Sequence, residues 1–315
     1  MIPVYDGANF LNESINSALN QTYDNIEVIV VNDGSDDDGE TEKIALSYKD
    51  QIKYISKENG GVSTALNIAI KNMNGEWLSW LSHDDLYYPQ KIEKQVDLLN
   101  NLIDNDKDIN IQNQVVFCMS ELINKSGKVF YRYKNKINDH MKSIDYIIGG
   151  LRKFTFSGCT FLIPKSAFYK IGLFKENIRY IQDYDYWYRL LLNDYTFRYL
   201  PDLLVQTRIH SKQLGANINY SLIGSQEDIE FWHDLVTELY KKDEYRKVRY
   251  FNKICLIALL KERPNIAKKI FKYVNKLSNN PIYKIEYIFV SVYSKIFNFF
   301  RKMCKKMYFI LFYKK

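Results

Sequence analysis

The sequence predicts an α/β fold, Rossmann-like, with a mostly parallel sheet flanked by helices and a helical C-terminal extension. Two observations support this fold class. In the first 115 residues, short apolar segments rich in Val and Ile alternate with segments whose apolar residues recur at helical spacing, which is typical of βαβ units. Beyond residue 220, helical spacing continues and strand-like segments disappear.

The predicted elements follow in chain order. Residues 26–31 are a branched apolar run that ends at Asn32-Asp-Gly-Ser35, as expected of a buried strand that enters a loop. Further strands are predicted at residues 53–56, 76–81, 115–121, 128–133, 161–163, 195–204 and 205–210. Helices are predicted at residues 12–19, 41–48, 63–72, 89–100, 143–148, 183–192, 226–240, 246–260 and 264–277.

Composition excludes several classes of protein. The 315 residues are 46% hydrophobic and 15% aromatic, which excludes a disordered chain, and 13 Gly with 6 Pro exclude collagen-like sequences. The four cysteines form no CxxC pair, so a zinc module or disulfide framework is disfavoured and a reducing compartment is expected. The N-terminus lacks the pattern of a secretory signal, so we expect a cytoplasmic protein.

Charge is distributed unevenly along the chain. Residues 1–220 contain 24 Lys+Arg and 28 Asp+Glu, whereas residues 221–315 contain 20 and 9. This change favours three parts: a main domain at 1–220, a helical extension at 221–280 and a basic aromatic tail at 281–315. No nucleic-acid-binding module is recognisable, and we expect no nucleic-acid partner.

The basic aromatic tail is the predicted membrane contact. Its longest uncharged run has 8 residues, whereas a bilayer span needs roughly 20. Apolar and aromatic residues interleaved with Lys and Arg favour a helix that lies in an anionic membrane surface, peripheral on the inner face of the cell membrane. An ordinary amphipathic helix packed on the body of the protein is the alternative.

Carboxylates follow two of the predicted strands. Asp33 comes after the strand that ends at residue 31, and Asp84-Asp85 come after the strand that ends at residue 81. Ligands of parallel sheets bind where such strands end, and hard divalent ions take carboxylates together with substrate phosphates. Asp84-Asp85 are therefore a candidate metal–diphosphate site, with a solvated turn as the alternative. Gly60-Gly61 open a helix whose first N–H groups could receive phosphate, although such a pair is often only a turn.

Several ordered motifs resemble those of family 2 glycosyltransferases with the GT-A fold, of the type that builds bacterial surface polysaccharides. The resemblance covers about residues 1–213. In chain order the motifs are Ile2-Pro-Val-Tyr-Asp-Gly7, Glu27 to Ser35, Asn59-Gly-Gly-Val-Ser-Thr-Ala-Leu-Asn67, Gly75 to Asp85, Pro89, Ser157-Gly-Cys159, Gly172-Leu-Phe174, Gln182-Asp-Tyr-Asp-Tyr-Trp187 and Arg208-Ile-His210.

The resemblance implies a nucleotide-sugar donor, usually UDP-linked, and a divalent metal ion, Mn²⁺ or Mg²⁺. Tyr5 matches the residue whose ring packs on the base, and Asp33 matches the residue that accepts from the base N–H, which selects an imide-bearing base such as uracil. The implied donor-binding residues are Pro3, Tyr5, Asp33, Gly61, Asn67, Asp84 and Arg208. The implied metal ligands are Asp84, Asp85 and His210, and the implied catalytic base is Asp183, with Asp185 as the nearest rival.

These residue types suit glycosyl transfer. A divalent ion stabilises the departing diphosphate, and a positioned carboxylate takes the proton of the attacking hydroxyl. The resemblance implies inversion at the anomeric carbon, and the tail suggests a glycan acceptor carried on a membrane lipid. The alternative is a catalytically degenerate nucleotide-sugar-binding or scaffolding protein at the membrane, which the retained carboxylates disfavour.

Three positions depart from the family pattern. Ser82 stands where the first Asp of the family's DxD segment is usual, so we expect weaker or altered metal binding. Leu66 replaces a frequently basic residue, which removes one phosphate contact. Met1 falls inside the predicted first strand, so the chain is expected to be truncated at its start. Separately, the aromatic residues at 184 and 186–188 are expected to stack on an acceptor sugar or to form helix core.

Overall fold

The computed structural model describes residues 1–133, 137, 141–152, 156–211, 213 and 220–313, without side chains at 220–225 and 298–313. The chain forms two compact units. The first consists of Met1–Tyr146 and Phe154–Glu227, and the second of Ile147–Lys153 and Asp228–Lys315. The predicted divisions at residues 220 and 280 stay predictions.

The first unit begins with a parallel sheet in the order β1–β2–β3 (Ile2–Val4, Ile29–Asn32 and Lys53–Ser56). The register aligns the last residues of these strands, so the residues that follow them, Tyr5, Asp33 and Lys57, leave the same edge of the sheet. The helices α1 to α3 (Leu11–Leu19, Glu40–Ser47 and Val62–Asn72) alternate with the strands, as predicted. Leu66 of α3 is fully buried, so its side chain serves the core.

A second, mixed sheet completes this unit. Its order is β4–β8–β6–β9–β5, with β7 paired to β6. The strands are Trp77–Leu78 (β4), Leu86–Tyr87 (β5), Gln114–Ile123 (β6), Val129–Arg132 (β7), Phe161–Pro164 (β8) and Thr196–Arg208 (β9). Strand β6 runs parallel to β9 but antiparallel to β7 and β8. Parallel pairing therefore holds for β1–β3 and for one pair of the second sheet. The antiparallel pairs could not be predicted, because hydrophobic periodicity carries no information on strand direction.

Two predicted strand boundaries are wrong. The strands predicted at 195–204 and 205–210 are the single strand β9, which bulges against β6 where Phe117 pairs with Tyr199 and Met119 with Leu203. The exposed Pro201, which has no N–H to pair, lies in this bulge. The strand predicted at 76–81 is regular only over Trp77–Leu78. Beyond it, Trp80 packs closely against Gly158, where a Cβ would lie 2.6 Å from the Trp80 ring.

The helices of the first unit after α3 are α4 (Lys91–Asn105), α6 (Lys165–Ile171) and α7 (Gln182–Leu192), and α5 (Ser143–Arg152) crosses the unit boundary. Three aromatic residues of α7, Tyr186, Trp187 and Tyr188, are buried. The ring of Trp187 stacks on Phe161 with centroids 4.1 Å apart. These three rings therefore belong to the helix core and leave no face for an acceptor sugar.

The second unit is helical. Helix α8 (Tyr220–Lys241) enters it, and α9 (Val248–Leu260), α10 (Pro264–Leu277) and α11 (Pro281–Tyr313) complete it. Helix α11 packs on α10 through Tyr287, whose ring stacks on Phe271 at 4.2 Å, and on α9 through Asn252, whose amide donates to Glu286 at 2.6 Å. Within the described part of the chain, no helix has an apolar stretch long enough to cross a membrane.

Candidate active site

Asp33, the first residue after β2, is buried and held by the loop that follows β3. The N–H groups of Gly60 and Gly61 donate to its two carboxylate oxygens at 3.0 and 2.7 Å. The ammonium group of Lys57 forms an ion pair with the same carboxylate. The loops approach this closely because Gly34 has a φ of +69° and no Cβ, which would lie 2.5 Å from a backbone nitrogen of the facing loop.

This arrangement changes what the two glycines can do. The N–H groups predicted to receive phosphate both donate to Asp33 here, so the contact of Gly61 with a phosphate stays a prediction. Lys57 is a residue that the motif reasoning missed. Its position at a strand end could be predicted from the sequence, because Lys57 follows β3 as Asp33 follows β2.

Pro3 and Tyr5 lie at the same edge of the sheet. Pro3 is buried within β1, whereas the ring of Tyr5 is 46% exposed beyond the end of that strand. Two residues further on, Gly7 contacts the next acidic loop, since a Cβ at Gly7 would lie 2.7 Å from the ring of His83. The loop after β1 therefore joins the Asp33 corner to the Asp84-Asp85 loop, and the role of Tyr5 in stacking on a base stays a prediction.

Asp85 is buried and fully engaged by neighbouring groups. One oxygen accepts from the backbone N–H of Arg208 at 2.9 Å, and the other accepts from the thiol of Cys159 at 3.2 Å. Ser82 adds to this cluster, because its backbone N–H lies 3.3 Å from the same sulfur. Burial, together with the charge of Asp84, raises the pKa of Asp85 to about 8.

Asp84 forms a pair with His210. The imidazole Nε2 lies 2.9 Å from Asp84 Oδ2, and both side chains are nearly buried. The amide of Gln213 donates to the same oxygen at 3.2 Å. The His210 ring also contacts Phe10, with centroids 5.1 Å apart. The structure thus brings together two of the three predicted metal ligands, while Asp85 faces other partners.

Arg208 has a different setting from the predicted one. Its side chain is buried, and its Nε donates to the carbonyl oxygen of Asp84 at 2.9 Å. The two terminal nitrogens donate to the carbonyl of Lys125 and to the carboxylate of Glu13, at 2.9 and 2.6 Å. Arg208 therefore fixes the acidic loop as a positioning residue, and a contact with the diphosphate would require it to leave these partners.

Asn67 also holds protein groups. Its amide nitrogen donates to the carbonyl of Phe174 and to Glu176, both at 2.9 Å, and its oxygen accepts from the N–H of Phe174 at 3.0 Å. One turn earlier in α3, the hydroxyl of Ser63 donates to the carbonyl of Ile178 at 3.2 Å. Asn67, predicted to bind the donor, instead holds the segment that leads into α7 through these hydrogen bonds.

Asp183 and Asp185 lie in the first turn of α7. Asp185 is ion-paired on both oxygens, with Lys175 and with Arg189, each at 2.7 Å. Asp183 forms no ion pair within the described part of the chain, and it accepts the N–H of Tyr184 at 2.8 Å. Burial raises the pKa of Asp183 to about 6. An unpaired carboxylate with a raised pKa can exchange a proton near neutral pH, so these settings favour Asp183 over Asp185 as a base.

A further carboxylate, which the motifs did not point to, holds the approach to this helix. Glu227 accepts from the backbone N–H groups of Arg179 and Tyr180, both at 2.9 Å. Because Glu227 lies in α8, far along the sequence, no local pattern could have indicated this contact. Across the described ranges of the chain, no group of three or more His, Cys, Asp or Glu side chains is placed to hold a metal ion.

The fold, with acidic residues at its strand ends, is of the GT-A class. The structure of S. aureus TarS 1–349 in complex with UDP-GlcNAc superposes with a TM-score of 0.63 at 16% identity, covering 92% of this chain and 89% of that 1–349 chain. At this identity the likeness shows the fold alone. The family model "Glycosyl transferase family 2" matches residues 1–172, more than half of the chain. The chain therefore belongs to glycosyltransferase family 2.

Relatives agree with this assignment. An uncharacterized glycosyltransferase of Rickettsia typhi (strain ATCC VR-144 / Wilmington) is 44% identical over 243 residues, which cover 77% of this chain and 72% of the relative. Other Rickettsia glycosyltransferases are longer, and the match spans 31–38% of their length. The minor teichoic acid biosynthesis protein GgaB of Bacillus subtilis (strain 168) is 40% identical over 90 residues, 27% of this chain and 10% of GgaB.

Proposed function

We propose that this glycosyltransferase moves a sugar from a UDP-sugar to a hydroxyl group of a cell-surface glycan, with inversion and with Asp183 as the catalytic base. The observation that carries the proposal is the setting of Asp183, a carboxylate without an ion pair in the described part of the chain and with its pKa raised to about 6. Such a group accepts the proton of an attacking hydroxyl, an effect typically worth about 10²–10⁴-fold in rate. A single displacement predicts inversion.

Donor binding is assigned to the edge of the first sheet. Tyr5 offers an exposed ring, and Asp33 offers a carboxylate that the loop after β3 holds rigidly. A base stacked on Tyr5 would donate its ring N–H to Asp33, and the diphosphate would extend toward the Asp84-Asp85 loop, which Gly7 joins to this corner through His83. Rigid placement of both ends lets binding energy orient the anomeric carbon.

A divalent ion, Mn²⁺ or Mg²⁺, is assigned to Asp84 and His210. The pair offers an oxygen and a nitrogen 2.9 Å apart, and such ions complete their shells with substrate phosphates. When bound, the ion would stabilise the charge of the departing diphosphate as a Lewis acid. Asp85, which the resemblance puts nearest the ion, is held by Arg208 and Cys159, so we assign to it the positioning of the β9 end.

We assign the acceptor as a cell-surface glycan that is built at a membrane. Support comes from GgaB, whose name places that relative in teichoic acid biosynthesis. Support also comes from α11, where eight apolar side chains, each 50–70% exposed, lie on one half of the helix surface: Ile282, Ile285, Ile288, Phe289, Val292, Tyr293, Ile296 and Phe297. We call them the outer stripe. Tyr287, whose ring stacks on Phe271, and the buried Ser294 lie on the other half of the helix.

Charge favours an anionic membrane as the partner of the outer stripe. Residues 281–315 contain 8 Lys+Arg and 1 acidic residue, and that residue, Glu286, is engaged by Asn252. An amphipathic helix with basic residues beside an apolar stripe binds in the plane of an anionic lipid surface. The enzyme would then meet its acceptor on the cytoplasmic face of the cell membrane, as the sequence analysis predicts.

The test of the proposed function is release of UDP. The protein is incubated with UDP-GlcNAc, UDP-GalNAc, UDP-Glc and UDP-Gal in MnCl₂, with membrane lipid extract as acceptor, and UDP is quantified. We expect release with one of these donors by the wild type and by Asp194→Asn, an exposed control, but not by Asp183→Asn. Nucleotide binding without release from any UDP-sugar would instead support the non-catalytic scaffold.

A further inference from the structure

The ion pair between Lys57 and Asp33 is unusual in being almost withdrawn from solvent. The side chain of Lys57 is 15% exposed and that of Asp33 is 5% exposed. Lysine is almost never buried without a partner, and its stem normally extends into water. The ammonium group also donates to the backbone carbonyl of Glu58. It therefore uses two of its three N–H donors within the protein.

Asp33, in turn, has hydrogen-bonding capacity that the protein leaves unused. A carboxylate has about four lone-pair sites. Gly60 and Lys57 donate to Oδ1, where the hydroxyl of Thr64 also lies at 3.5 Å, and Gly61 donates to Oδ2 at 2.7 Å. By this count one lone pair on Oδ2 and one N–H on the ammonium group remain, on two groups that the ion pair holds together at the edge of the first sheet. The corner thus offers one acceptor and one donor.

We propose that Lys57 is a specificity-determining residue that reads the nucleotide base together with Asp33. While Asp33 accepts the ring N–H, the ammonium group of Lys57 donates to the carbonyl oxygen beside it. This inference rests on the proposed function, because it takes the Asp33 corner as the site of the base.

The pair selects by the order of donors and acceptors. An imide-bearing base such as uracil has a ring N–H flanked by carbonyl oxygens, and it satisfies both Asp33 and Lys57. Cytosine has a bare ring nitrogen beside an amino group. It would set a lone pair against the carboxylate and N–H groups against the ammonium group. These two like-against-like contacts, lone pair against carboxylate and N–H against ammonium, are the repulsive element that discriminates against cytosine.

The test is calorimetric titration of UDP and CDP, in MnCl₂, into the wild type, Lys57→Met, Lys57→Gln and Lys71→Met. Lys71 is an exposed residue of α3 and serves as the control. We expect Lys57→Met to weaken UDP binding about 10- to 100-fold, the loss of one charge-assisted hydrogen bond, and to leave CDP binding unchanged or tighter. Lys57→Gln, which keeps an N–H donor, should recover part of the preference for UDP.

The outcomes separate the two claims. Equal affinities of the wild type and both Lys57 variants for UDP, or equal losses for UDP and CDP, would overturn the role of Lys57 and leave the nucleotide site standing. A folded wild type that binds neither nucleotide would overturn the proposed function, and the role of Lys57 with it. If Lys57→Met fails to fold by circular dichroism, the ratio of the two affinities in Lys57→Gln decides.

Discussion

Asp183 and Asp185 lie two residues apart in the first turn of α7, yet they have opposite electrostatic settings. Asp185 forms ion pairs with Lys175 and Arg189 at 2.7 Å each, whereas Asp183 forms no ion pair in the described part of the chain and accepts the backbone N–H of Tyr184. Ion pairing stabilises the charged form of a carboxylate, and burial without a pair destabilises it. Of the two, Asp183 is therefore suited to take and release a proton.

The rate of transfer should depend on pH through Asp183. Its pKa is raised to about 6 by burial, and a base must be deprotonated to act. Transfer should therefore fall about tenfold per pH unit below pH 6 and level off above pH 7. Initial rates at saturating donor from pH 4.5 to 8.5 check this. A profile that is flat between pH 5 and 7 would contradict the assignment.

The same burial should reduce the stability of the folded protein at neutral pH. The pKa of Asp183 is about 6 in the folded chain, against 3.8 in its ordinary state, so the charged carboxylate costs roughly 1–3 kcal/mol above pH 6. Asp183→Asn should raise the free energy of unfolding by that amount at pH 8. The gain should shrink as the pH falls through 6 and vanish near pH 4, where the wild-type group is protonated in both states.

Urea unfolding of wild type, Asp183→Asn and Asp194→Asn at pH 4, 6 and 8 measures this effect. Asp194 is exposed in the loop after α7 and has a positive φ of 64°, which Asn tolerates, so its variant should match the wild type at each pH. A loss of stability in Asp183→Asn at pH 8 would show that the carboxylate is favourably placed, which would remove it as the base.

Metal dependence should reside in the pair of Asp84 and His210. His210→Ala removes the nitrogen that lies 2.9 Å from Asp84 Oδ2. We expect it to abolish any gain in UDP affinity on adding MnCl₂, while UDP binding without metal changes less than about threefold. Calorimetry with and without MnCl₂ checks this, with His233→Ala, an exposed histidine of α8, as control. A full metal effect in His210→Ala would assign the ion elsewhere.

Membrane binding should depend on the outer stripe. Ile285 and Phe289 are 64% and 70% exposed, and replacing both with Ser removes apolar surface without disturbing the packed face of α11. Co-sedimentation with vesicles of 30% phosphatidylglycerol should weaken at least about tenfold, while Leu46→Ser, which removes an exposed apolar residue of α2, should bind as the wild type does. Equal binding by the double variant would refute the stripe, and self-association lost in it would point to a second copy instead.

The sequence predicts the parts of the site that depend on local order along the chain. Asp33 and Asp84 follow apolar strands, so their placement in loops at strand ends was predictable. The roles of Asp185 and Arg208 were not, because their partners Lys175, Arg189, Glu13 and Lys125 become neighbours only through packing. The position of Lys57 at a strand end was predictable, but its ion pair with Asp33 was not, because that pair depends on the register between β2 and β3.

Donor binding, metal binding and base selection all depend on a nucleotide-diphosphate site at the edge of the first sheet, and calorimetric titration of UDP, with GDP for comparison, measures that site. We expect the folded wild type to bind UDP more tightly than GDP, at least about tenfold more tightly with MnCl₂ than without, and Asp84→Ala to lose this metal effect. A folded wild type that binds neither nucleotide, with or without metal, would show that no such site exists.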